Sequence, residues 1–132
     1  MRRCGEHRVL GSEMPPSIRL CTSTWCRGCT LAASHLYEAF LSSVSTWEIA
    51  VKHSLGRLPL PRPPSALVPA ERQRHQIQPL SLDEAAALFC ARLPELHKDP
   101  FDRMLVCQAI VGGLTLLTPD PLITQYPVAT VW

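Results

Sequence analysis

No run of apolar residues in this chain approaches the roughly 20 needed to cross a bilayer, so a membrane-spanning helix is not its organising element. Lysine is nearly missing: Lys52 and Lys98 are the two in the sequence, and the other basic side chains are arginine. The formal net charge of +2 neither argues for nor excludes a nucleic-acid partner. There is no G-x-S-x-G, no Walker A and no G-x-G-x-x-G, which sets aside serine hydrolase, P-loop and dinucleotide chemistry. Histidines at 7, 35, 53, 75 and 97 make no H-x-x-x-H pair. The opening MRRCGEHRVLGSEMPP has two arginines but no apolar core of the kind a secretory signal needs. A cytoplasmic location, with no membrane partner, is the expectation.

Cysteine is present but unevenly placed. Cys90 and Cys107 fall in apolar helical surroundings and read as reduced core residues. Cys21, Cys26 and Cys29 have C-x4-C-x2-C spacing, which suits part of an iron–sulfur or zinc site. Cys4 lies upstream and no fourth ligand is evident, so incidental thiols are the plainer reading.

At 132 residues the chain is expected to hold one domain with a genuine core. Residues 1–38 form an atypical N-terminal segment, with Arg, Cys, Ser, Thr and Gly in no sustained period. Val9-Leu10 and Ile18–Leu20 are too short to be read as strands. From residue 39 the character changes, and 39–132 is read as the domain proper. AFLSSV is a buried strand, followed at once by the helix STWEIAVKHSL, in which Ser45 and Glu48 have capping-box spacing and Gly56 ends the element. A Pro-rich connection leads to a helix over Ser65–Gln73, and Ile77–Leu80 is a short strand. Ser81 and Glu84 suggest a second capping box, and Pro94 stops the helix they open.

The best-marked element is HKDPFDRMLVCQAIVGG, residues 97–113. Asp99 suits the N-cap, Pro100 the first helical position, and Gly112-Gly113 the exit. LTLLT (114–118) is a strand, Asp120-Pro121 opens a short helix, and VATVW closes the chain as a last strand. Strands alternating with helices imply an α/β domain with a mainly parallel sheet.

In such a sheet, ligands bind beyond the carboxyl ends of the strands. Glu48, Asp102 and Asp120 fall at that edge from three separate segments. Carboxylates that converge repel one another unless a cation lies between them, and hard oxygen ligands suit Mg²⁺ or Mn²⁺. Each acid also has an ordinary structural reason to be there. Glu48 completes a capping box, Asp99 and Asp120 precede Pro as N-caps, and Asp102 in the first turn favours the helix dipole. On spacing alone the structural reading comes first, because helix starts attract acids generally. Trp47 reads as a core anchor; His97, Lys98 and Arg103 flank the acids and are as well explained by solvation as by phosphate contact.

The order of these elements carries more than their spacing. From Ala39 to Trp132, about seven-tenths of the chain, W-E-I-A-x-K, then D-P-F-D-R, then T-x-D occur at the intervals of a PIN-domain protein of the VapC toxin class, which this stretch resembles. The resemblance implies a three-layer α/β/α sandwich around a mainly parallel sheet. It implies a Mg²⁺- or Mn²⁺-dependent endoribonuclease that hydrolyses RNA phosphodiester bonds, is neutralised by a VapB-type antitoxin and forms a homodimer. On this resemblance Glu48, Asp102 and Asp120 are the metal-binding, catalytic acids, with Thr118 beside Asp120 and Asp99 in support as a cap. Such proteins open with a strand ending in an L-L-D-T-H-like motif that supplies a first metal-binding Asp. Nothing in residues 1–38 matches it. The N-terminal strand is therefore expected to be absent or replaced, as a frameshifted or disordered start would leave it. Catalysis is expected to be impaired, the alternative being an inactive PIN-like protein that still binds a VapB-type antitoxin.

Overall fold

The helix with the strongest punctuation in the sequence is also the centre of the structure. In a computed structural model, which describes residues 19–21 and 38–132, that helix runs Pro100–Gly112 (α4). Asp99 is its N-cap and accepts the Phe101 N–H at 2.8 Å. Gly113 exits in the left-handed conformation (φ 63°), and Leu114 N–H closes back on the Ala109 carbonyl at 2.8 Å. That pairing satisfies carbonyls the helix end would otherwise leave open, and glycine takes the positive φ without a Cβ clash. Leu105, Val106, Cys107, Gln108 and Ala109 are consecutive and all buried. A helix buried through more than a full turn has neighbours all round, as its lack of polar residues predicts.

Five strands form one parallel sheet in the order β3-β2-β1-β4-β5. They are β1 Arg19–Cys21, β2 Ala39–Ser42, β3 Ile77–Leu80, β4 Thr115–Leu117 and β5 Thr130–Val131. The helices between them are α1 Ser43–Ser54, α2 Pro64–Arg74 and α3 Glu84–Phe89, with a 3-10 turn at Cys90–Arg92. A further 3-10 turn, Ile123–Gln125, joins β4 to β5. Leu105, Leu116 and Ile123 from three of these elements are buried in the core, with Val44, Leu93 and Tyr126 around them.

The central position of the sheet is filled by β1. It pairs with β2 on one side and β4 on the other, so Cys21 is level with Leu41 and Leu117. A strand is thus present at Arg19–Cys21, where the sequence shows no credible one. Three residues inside a sheet are held by backbone pairing from both flanks, which asks little of side-chain pattern. The rest of the atypical 1–38 segment, apart from Glu38, lies outside the described residues. So do Cys4, Cys26 and Cys29 of the candidate cysteine site.

Both capping boxes are displaced. Ser42, not Ser45, caps α1: its Oγ accepts Val44 N–H at 3.1 Å and donates to Gln108 Oε1 at 2.6 Å. Gln108 in turn donates to the Ser81 carbonyl at 2.9 Å. One buried serine thereby ties the end of β2, the middle of α4 and the end of β3 together. Asp83, not Ser81, caps α3, accepting Ala86 N–H at 2.8 Å. In both cases the helix starts at the residue whose side-chain oxygen can reach an orphan N–H given the strand before it. Glu48 therefore caps nothing and sits in the second turn of α1. Trp47, expected as a core anchor, is 56% exposed. Among the described residues no helix is long and apolar enough to cross a membrane.

Candidate metal centre

The order β3-β2-β1-β4-β5 reverses direction between β1 and β4, and in an open parallel sheet that reversal makes a crevice at the carboxyl edge. Asp120 lies three residues beyond β4. Thr118, buried at the strand's exit, accepts Asp120 N–H on its Oγ at 3.1 Å and so turns the chain toward the crevice. Asp120 Oδ1 then accepts Leu122 N–H at 2.8 Å. This backbone bond, with help from His97, holds the Asp120 carboxyl below its usual range and keeps it ionised.

Asp102 arrives from the first turn of α4, and Glu48 from α1. The two helix starts are registered by the Trp47 and Phe101 rings, whose centroids are 4.9 Å apart. Each ring belongs to the residue just before one of the acids. Burial, reinforced by the negative charges of Asp99, Glu48 and Asp120, pushes Asp102 up to about 6, against the opposing pull of His97. Two carboxyls in one site thus lean opposite ways, Asp120 toward the charged form and Asp102 toward the protonated one.

His97 lies between them. Its Nε2 is 3.0 Å from Asp120 Oδ2 and 3.4 Å from Asp102 Oδ2. One ligand atom from each of His97, Asp102 and Asp120 lies within 4.8 Å of the other two, close enough for one cation. Glu48 is not part of that triangle but faces it electrostatically, as its effect on Asp102 shows. It is 5% exposed; Oε1 pairs with Lys52 Nζ, while Oε2 is buried without a hydrogen-bond partner. A buried carboxylate oxygen left unpaired carries a desolvation cost of several kcal/mol unless a proton, water or cation meets it. That orphaned oxygen, in a set dominated by carboxylates, fits a hard divalent ion.

Of the expected acids, the structure brings Asp102 and Asp120 together and leaves Glu48 outside their group, acting on Asp102 through its charge; Thr118 accepts the Asp120 N–H and Asp99 caps α4. The structure adds His97, which the sequence leaves as a solvated flank; its side chain is only 11% exposed. The available signal is its place two residues before an Asp-Pro cap, where the chain turns into α4. Arg103 is not at the site. Its guanidinium donates to the Pro94, Leu93 and Cys90 carbonyls at 2.8, 3.2 and 3.3 Å, clasping the turn after α3.

No sequence-family profile matches the chain. The curated protein Ribonuclease VapC16 from Mycobacterium tuberculosis (strain ATCC 25618 / H37Rv) is 47% identical over 45 residues, which is 34% of this chain and 32% of that protein. In a solved structure of FitAB bound to an IR36 DNA fragment, one chain matches with a TM-score of 0.52 at 16% identity. That match covers 86% of the present chain and 93% of the FitAB one. The structural match shows a PIN-like α/β fold, and over 45 residues the sequence is similar to a VapC ribonuclease. The VapC16 match spans about a third of that protein's length.

Proposed function

We propose that this VapC-type chain is a Mg²⁺- or Mn²⁺-dependent endoribonuclease whose site is weakened by the lack of a first carboxylate. The observation that supports it best is the convergence of Asp102 and Asp120, with His97, within one cation's reach, while Glu48, whose Oε2 is buried without a hydrogen-bond partner, acts on Asp102 through its charge. Asp120, held ionised by backbone N–H groups, would supply a permanent anionic ligand. Asp102 and Glu48 would complete the negative cradle, losing their mutual repulsion when a cation is present. When bound, the ion would activate water and stabilise charge on the leaving oxygen of an RNA phosphodiester. The protein's own contribution is geometric: Thr118 fixes Asp120, the Asp99 cap fixes Asp102, and the Trp47–Phe101 contact fixes both helix starts.

The weakening is assigned to the end of β1. Cys21 closes the central strand where the family's first Asp is expected, leaving three acids for a hard cation. The proposal extends to a VapB-type antitoxin as partner and to a homodimer, on the resemblance to VapC proteins.

Purified full-length chain incubated with RNA and Mn²⁺ or Mg²⁺ tests the reading. Slow cleavage that stops with EDTA and is abolished by Asp102→Asn or Asp120→Asn supports it. Cleavage that ignores both EDTA and these substitutions refutes it. Absent cleavage together with tight binding to a VapB-type antitoxin would favour an inactive partner protein.

A further inference from the structure

Among the described residues, His97 is a largely buried imidazole whose ring faces Asp99, Asp102 and Asp120. Its backbone N–H donates to the hydroxyl of buried Tyr126 at 2.8 Å. Its Nδ1 lies 3.1 Å from Asp99 N and accepts that N–H. Its Nε2 lies 3.0 Å from Asp120 Oδ2 and 3.4 Å from Asp102 Oδ2. A ring nitrogen that accepts a backbone N–H has its lone pair engaged and carries no proton. A neutral imidazole bears one N–H, so Asp99 forces that hydrogen onto Nε2. Nε2–H then has no lone pair to give a metal, and what it faces is two carboxylate oxygens.

We propose that His97 is a positioning residue and not a ligand: its Nε2–H, fixed by the Asp99 backbone, holds Asp120 in an orientation that converges with Asp102 on the cation position. The Asp99 cap thus has a double task, since the residue whose carboxylate starts α4 also sets the His97 tautomer with its own amide. Asp120 accepts from Leu122 N–H on Oδ1 and from His97 on Oδ2, and a carboxylate's two oxygens offer about four lone-pair sites, so capacity for a cation is left. The inference rests on the metal-site reading above, but its two tests separate the two.

The first test needs no metal. A two-bond ¹H–¹⁵N spectrum of the full-length, ¹⁵N-labelled chain, with His97 assigned by loss of its signals in His97→Gln, should show Nδ1 as a pyridine-type nitrogen and Nε2 as pyrrole-type. Addition of Mg²⁺ should leave that pattern in place. The inverted pattern, or Nε2 turning pyridine-type with Mg²⁺, would overturn the proposal. The second test is Mn²⁺ affinity by calorimetric titration. His97→Ala should bind about tenfold more weakly, the range typical for residues that orient metal ligands. His97→Gln, whose amide N–H reaches the same point as Nε2–H, should stay within about threefold of the parent, whereas His97→Asn, which is too short, should resemble Ala. Gln as weak as Ala makes His97 a ligand, and Ala as tight as the parent removes its positioning role; either result overturns the proposal. A parent chain that binds Mn²⁺ no better than Asp102→Asn would instead sink the metal-site reading, and the metal-free spectrum would still decide the tautomer.

Discussion

Asp102→Asn should stabilise the metal-free chain while removing its response to metal. The Asp102 carboxyl is pushed from an ordinary 3.8 up to about 6, first by burial and then by the surrounding acids. The folded state therefore binds this proton more tightly than the unfolded chain does. Stability from the group is fully present below pH ~4 and is lost as pH rises through about 6. A rise of that size corresponds to at most about 3 kcal/mol of penalty at pH 7.5. Against it stands the favourable effect of a negative charge in the first turn of α4, about 0.5–1 kcal/mol, which Asn gives up. The net gain for Asp102→Asn is about 2 kcal/mol, or roughly 5–10 °C in Tm for a domain of this size. Thermal unfolding in EDTA at pH 7.5 and again at pH 4 measures it: the variant should melt higher at pH 7.5, and the two curves should converge at pH 4. With millimolar Mn²⁺ the order should reverse, because binding to the folded parent adds stability that the variant cannot gain. Equal Tm values in EDTA at pH 7.5, or equal gains with Mn²⁺, would refute the idea that this acid is held at a cost for a cation.

Other substitutions separate structure from site. Ser42→Ala should cost about 2–3 kcal/mol in denaturant unfolding, since it removes the α1 cap and leaves buried Gln108 Oε1 without its donor. Leu105→Ala, at a side chain with 0% exposure in the core, should cost about 2–5 kcal/mol. Arg103→Ala should lower stability by about 2 kcal/mol through loss of its three carbonyl contacts. Mn²⁺ affinity should be unchanged in that variant; a large fall would return Arg103 to the site.

The parts of the fold that are legible in the sequence are those set by local chemistry. Asp99-Pro100 at one end and Gly113 at the other define α4 without help from the rest of the chain, and Ile77–Leu80 is legible to the residue. What misleads is chemistry that two residues could satisfy equally. S-S-V-S-T-W-E offers more than one serine as cap; the strand before it and Gln108 opposite select Ser42, which the sequence cannot show. That choice also changes the meaning of Glu48, since the capping explanation for its charge disappears and an unpaired buried oxygen takes its place. His97 escapes a sequence reading for a related reason. Its partners are the Asp99 amide beside it and a carboxylate 23 positions away, and only the second is a matter of folding. The β1 strand is illegible because its stability comes from two neighbours and not from its own residues.

That last point separates folding from chemistry at the centre of the sheet, and the separation can be tested. Backbone pairing on both sides lets RLC serve as a central strand, and the proposed weakening of the site lies where β1 ends. The register sets Cys21 level with Leu41 and Leu117, one position before Ser42 and Thr118. On the proposed reading, a carboxylate introduced at this end adds to the negative charge of Asp102, Glu48 and Asp120. Cys21→Asp should then have opposite effects in the two states. In EDTA the extra repulsion should lower Tm at pH 7.5 and make the loss of stability with rising pH steeper. With Mn²⁺, a further hard oxygen ligand should tighten binding by about tenfold, or ~1.4 kcal/mol, and raise the rate of RNA cleavage. Cys21→Asn, of nearly equal shape and without charge, should do neither. Equal Mn²⁺ affinity in the Asp and Asn variants would mean that the end of β1 does not face the cation, and that the low activity expected of this chain has another cause.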